Sequence, residues 1–333
     1  MSGLPDRPDL AQLRRQAKEL HRAAVAGEHE GLRRLRDVSD RTTLAAAQLA
    51  VAREHGFGSW PSLRVAVEAS RADAGAPLMP GKHRNRPVHG AGDFLASAQA
   101  QGWRPGTLPV GAVFTSQTFI TTHLVGEPDR YRPSSSLTPT NGQVFVTVPG
   151  PLVAIACLGV GASALVTLLE HLVGLGVRSF IAVGPAPAIG TALHPCACVV
   201  IDRALRDDGI SGHYAPPARY ASADAALSTR LFDEAAARGL HPRTGSAWTV
   251  PTPYRTTEEE LSAYTDDGVV VTDMVTAALF AVAAALGARA ASAVVATRTL
   301  GAPATGTWPR ARGQVVSLIE AAVSVLQRSE VVA

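Results

Sequence analysis

From about residue 93, short apolar runs alternate with stretches of helical spacing, and this constrains the fold of the 333-residue chain most. Strand-like runs lie at 143–148 (QVFVTV), 152–158 (LVAIACL), 178–183, 197–202, 269–273 and 292–297. Helical patterns occupy 162–174, 223–238 and 274–288. Strands that are apolar throughout, with helices between them, predict an α/β fold whose mostly parallel sheet is covered on both faces.

The first 70 residues read differently. They hold 20 of the 59 charged side chains, so a charged, surface-rich segment precedes a low-charge body. Apolar residues recur at helical spacing over 9–24, with Asp9 as N-cap and Gly27 as the stop. Further helices are expected at 28–37, at 42–55 before the Gly56-Phe57-Gly58 turn, and from Ser59, with Pro61 in the first turn. The segment AQLAVAREHGFGSWPSLRVAVE resembles a small helical module with ankyrin-type helix pairing, and Phe57, Trp60 and Leu63 form its expected core seam. The domain reading is a helical N-terminal module over 1–70, a linker over 71–92 and an α/β domain over 93–333.

Charge and cysteine content narrow the function. A net charge of +3 with no concentrated basic stripe argues against a nucleic-acid partner. Three cysteines make no disulfide framework, the first ten residues lack an apolar signal core, and the charge-free stretch Pro133–Leu169 is too broken by proline and glycine for a membrane helix. A cytoplasmic protein is expected, with a small-molecule substrate, no membrane partner and no metal. His194, Cys196 and Cys198 alternate, which on a strand would put all three on one face, but a buried apolar strand is the simpler reading.

The run LVAIACL leads into Gly159-Val160-Gly161-Ala162-Ser163-Ala164 and a helix, matching the dinucleotide fingerprint in its strand–turn–helix context. The next strand ends in Gly184-Pro185-Ala186, with no acid to hold a ribose hydroxyl. A tight turn without a cofactor is the expectation.

A longer match covers Gly159 to Trp308. GVGASALVTLLEHLVGLGVRSFIAVG, VVIDRALRDDGISGHYAPPARYA, GSAWTVPTPYRTTEEELSAY and GVVVTDMVTAALFAVAAALG follow one another in the order found in the purine/uridine nucleoside phosphorylase superfamily, which this region resembles. The resemblance implies a central mixed sheet, partly barrel-like and flanked by helices, in a homo-oligomer. It also implies cleavage of an N-glycosidic bond by phosphate or water, with an anion site, a Met-Glu pair gripping the ribose and an Asp that assists the departing base.

This sequence departs at each point. Gly184-Pro185-Ala186-Pro187 replaces a Gly-Thr-Ala-Gly turn, Met274-Val275 replaces Met-Glu, and Thr297-Arg298 replaces Ser-Asp. Proline donates no amide proton, valine binds no diol, and arginine is a permanent cation where the family has an acid. What remains for chemistry is the loop Arg206–Tyr214, with Asp208 and His213 as candidate catalytic groups and Tyr214 as a pocket residue, plus Asp273, which is either a buried acid or a helix cap. Trp248, Tyr254, Met274, Val275, Arg298, Gly159 and Pro185 complete the candidate substrate-binding set. The expected function is a repurposed phosphorylase-fold enzyme performing cofactor-free cyclisation or isomerisation on a small, largely apolar or amine-containing metabolite. A phosphorylase or nucleosidase with displaced residues, and a non-catalytic ligand binder, are the alternatives.

Overall fold

The computed structural model describes residues 9–64, 67, 78–79, 81–135, 137, 143–302 and 308–328. The chain divides into two compact units between Pro80 and Gly81.

The first unit is helical. Helices α1 (Leu10–Val25), α2 (His29–Arg36) and α3 (Leu44–Glu54) pack Leu10, Leu13, Ala17, Leu20, Leu35 and Val51 into one apolar cluster. Asp9 caps α1 through Ala11 N at 2.8 Å, and Thr43 caps α3 through Ala46 N at 3.2 Å. Gly31 lets α2 approach α1 closely, because a Cβ there would lie 2.8 Å from Ala24 N. A further helical segment begins at Trp60; Leu63 is fully buried, while Phe57 and Trp60 pack on the cluster half-buried.

The second unit begins at Gly81, earlier than the linker reading places it. Residues 82–84 form a 3-10 turn and α4 spans Ala91–Ala100. Residues 71–77 and 80 of the expected linker lie outside the described residues.

Among the described residues ten strands make one sheet: β1 (Gly111–Thr115), β2 (Tyr131–Pro133), β3 (Gln143–Thr147), β4 (Val153–Cys157), β5 (Ser179–Ala188), β6 (Cys198–Arg206), β7 (Tyr220–Ser222), β8 (Arg243–Thr249), β9 (Val269–Asp273) and β10 (Arg289–Thr299). The order β10-β6-β8-β9-β5, closed by the β10–β5 ladder, is a five-stranded barrel from which β1, β4, β3 and β2 extend. Parallel pairing is less dominant than the alternation predicts. Half of the ladders among the described residues are antiparallel, including β10–β6 and β5–β9, so the sheet is mixed.

Among the described residues seven helices accompany the sheet: α4, α5 (Thr118–Val125), α6 (Ala162–Gly174), α7 (Ala225–Ala237), α8 (Glu258–Asp266), α9 (Thr276–Ala285) and α10 (Trp308–Arg328). Alternate residues of β1 feed two different clusters: Ala112 and Phe114 join the one containing α6 and α9, and Val113 joins the one containing α7 and α10. Helix α9 is apolar all round and buries every residue from Thr276 to Ala283, as a helix inside a core must. Among the described residues no helix is long and apolar enough to cross a membrane.

Candidate active site

A cavity of about 340 Å³ opens where β1, β4, β8 and β9 end and β5 and β10 continue paired mainly with each other. On the side away from β10, β5 pairs with β1 only at Phe180–Ala182 and with β9 only at Ala188. Residues 183–187 therefore have a strand neighbour on one side alone. This unpaired edge accommodates Pro185 and Pro187, since no ladder there needs their missing amide protons. Both prolines line the cavity.

The β4–α6 turn supplies Gly159, Val160 and Gly161. Gly161 sits at φ +104°, a left-handed conformation that disfavours side chains, and its missing Cβ would point into open space. β10 contributes Arg298 through an irregularity. Ala296 faces Ala186 and Thr299 faces Ala188, so β10 carries one residue more than β5 between these pairs. Such a bulge re-aims side chains, and here Arg298 comes to line the cavity while remaining exposed at its mouth.

Asp273 ends β9 and is the one carboxylate among the lining residues. Its Oδ1 accepts from Thr249 Oγ1 at 2.7 Å, and its Oδ2 accepts from Thr276 N at 3.2 Å and from the Thr276 hydroxyl. The side chain thus caps the start of α9 while facing the cavity. Burial pushes its pKa above the ordinary carboxylate value, against the downward pull of the Thr276 and Thr249 hydrogen bonds.

The rest of the wall is largely apolar, with Phe114, Leu158, Leu165, Met274, Val275 and Leu300. Two buried hydroxyls, Thr115 Oγ1 and Thr272 Oγ1, belong to lining residues and have no hydrogen-bond partner among the described residues. Tyr254, on the 3-10 turn Pro253–Arg255, is 99% exposed at the rim.

Gly159, Pro185, Tyr254, Asp273, Met274, Val275 and Arg298 thus meet in one cavity. Four other candidate residues are not among those lining it. Asp208 is buried and accepts from Ile210 N at 2.8 Å, Ser211 N at 2.6 Å and Ser211 Oγ at 2.7 Å, so its carboxylate braces its own loop. His213 Nδ1 lies 2.6 Å from Lys82 Nζ, and burial followed by the lysine charge holds its pKa below the usual histidine value. The Tyr214 hydroxyl is pushed up to about 12, first by burial and then by Glu170. Trp248 is buried, donates to Asp207 Oδ2 at 3.1 Å and packs edge-on against Tyr264.

The alternating His194, Cys196 and Cys198 do not share a strand face. Cys196 sits at φ +67° before β6 begins, and burial pushes the Cys198 thiol up to about 12. No group of three metal-ligating side chains occurs among the described residues. The sequence reading missed Thr115, Gln117, Thr272, Ser292 and Leu300 as cavity residues. For the first two the available signal was GAVFT, a short apolar run ending in polar SQT.

The phosphorylase superfamily model matches residues 123–325, and the chain belongs to that superfamily. The uridine phosphorylase of Haemophilus influenzae is 27% identical over 168 residues, which is 46% of this chain and 67% of that protein. The DeoD-type purine nucleoside phosphorylase of Bacillus cytotoxicus is 28% identical over 148 residues, 44% of this chain and 63% of that one. Among solved structures, uridine phosphorylase from Vibrio fischeri ES114 complexed with 6-hydroxy-1-naphthoic acid superposes with a TM-score of 0.58 at 21% identity. The superposition covers 69% of this chain and 98% of that one, and supports the fold.

Proposed function

We propose that the chain is a superfamily member whose cavity has been turned from nucleosides to a small, largely apolar metabolite, on which it performs cofactor-free acid–base chemistry such as a cyclisation or isomerisation. The observation that carries this reading is a convergence. Pro185, Pro187, Val275 and Arg298, the positions that depart from the family pattern, all line the same cavity.

Each substitution removes a group that phosphorolysis uses. Pro185 and Pro187 offer no amide to an anion and Val275 offers no carboxylate to a diol. Loss of one transition-state contact costs roughly 3 kcal/mol, a hundredfold or more in rate. Losing the anion site, the sugar grip and the base-side acid together leaves little of the parent reaction.

Asp273 takes the acid–base role. It is the only carboxylate among the lining residues, and its raised pKa moves it toward the range in which a group exchanges protons at neutral pH. His213 and Asp208 have no part in this proposal. A homo-oligomer belongs to it as an expectation from the family resemblance, to be read by light scattering.

The second reading is nucleoside phosphorolysis or hydrolysis, favoured by the curated relatives, which are uridine and purine nucleoside phosphorylases. Chromatography of uridine and inosine incubated with the protein, with and without phosphate, separates the two. No base release above the uncatalysed background supports the proposal. Phosphate-dependent release at ordinary enzymatic rates overturns it.

A further inference from the structure

We infer that the cavity recognises an organic carboxylate, with Arg298 as the residue that binds it. This inference rests on the preceding reading that an apolar small molecule occupies the cavity.

Arg298 is the only cationic side chain among the lining residues. Among the described residues its guanidinium reaches only the Ala302 carbonyl, at 3.4 Å, a distance at which a hydrogen bond is weak. Two other exposed arginines of this unit are engaged more firmly: Arg130 and Arg238 each lie 3.0 Å from a Glu320 oxygen. Arg298 therefore presents a fork of donors to the cavity mouth with most of its capacity free, in the geometry that suits a planar carboxylate.

The strand beside it offers little help. β10 pairs with β5 beside Arg298, and there Pro185 and Pro187 remove the backbone donors that an anion would otherwise find. An anion entering this cavity meets one cation and, through Asp273, one carboxylate. That balance fits a single negative charge on an otherwise apolar body better than a phosphate dianion, which calls for more than one cation or amide. The bulge that puts Arg298 at the mouth makes this a built feature of β10.

The test is equilibrium binding of 4-phenylbutyrate and its neutral amide to the full chain and to Arg298→Gln, near neutral pH. Arg298 is exposed, so the glutamine variant is expected to fold as the parent does. The expected result is that the parent binds the carboxylate about tenfold more tightly than the amide. Arg298→Gln should abolish that preference while leaving amide affinity unchanged, and millimolar phosphate should not compete. Equal affinity of the parent for both ligands, or displacement of the carboxylate by phosphate, overturns the carboxylate assignment but leaves the apolar cavity standing. Binding of neither ligand overturns both.

Discussion

The loop Arg206–Tyr214 and the cavity between β5, β9 and β10 carry similar residue types but use them in opposite ways. In the loop, polar groups are directed inward. Asp208 holds Ile210 and Ser211, Arg206 reaches Ser211 Oγ at 2.9 Å and the Pro216 carbonyl at 2.7 Å, and Lys82 sits on His213. In the cavity, among the described residues, Arg298 has one weak contact and the Thr115 and Thr272 hydroxyls have none. A charged residue whose partners belong to its own loop maintains shape. A charged residue with only one weak partner, at the mouth of an apolar cavity, is available to a ligand.

Asp273→Ala is the harshest way to break the contrast. It leaves the Thr249 and Thr276 hydroxyls and the Thr276 amide without their acceptor at the start of a buried helix. A loss of about 3 kcal/mol is expected in urea denaturation, together with loss of any activity. Asp273→Asn should recover much of the stability but not the activity, which separates the cap from the acid.

Asp208→Ala removes an acceptor of three hydrogen bonds in a buried turn and should cost about 2 kcal/mol. Ligand affinity in the cavity should stay as it is. A loss of affinity at retained fold would put the loop back into the site.

A smaller effect concerns His171, buried on α6 and stacked on Phe94 at 4.8 Å. Burial lowers its pKa from 6.5, so the folded chain keeps it neutral where the unfolded chain protonates. The unfolded state then binds more protons below pH 6.5, and stability falls as the pH drops through the lowered value. His171→Phe should flatten that part of the acid limb in pH-dependent thermal melts and leave the profile above it unchanged.

Some elements were legible because their pattern is local. Helix α6 occupies 162–174 and β9 occupies 269–273, as their spacing predicts, since each is bounded by glycine, proline or a capping residue. β1 and α10 were not read, the first because five residues make a weak signal and the second because an arginine-rich start hides its apolar stripe. Met274-Val275 and the Pro185 and Pro187 positions were legible as replacements within a recognised order of segments, although the structure continues β5 through them to Ala188 where the sequence suggested a turn. The bulge at Arg298 was not, because it is defined by register between two strands more than a hundred residues apart in sequence. Asp208 and His213 do not line the cavity, and residue type alone could not show this, because it gives chemistry but not position in the fold.

Hydrogen–deuterium exchange of the full chain with and without 4-phenylbutyrate tests the central distinction most directly. Slower exchange confined to 182–187, 272–276 and 292–300, with 206–214 unchanged, is the result that follows from a ligand seated in the cavity. Slower exchange centred on 206–214, or no change in either region, would contradict it.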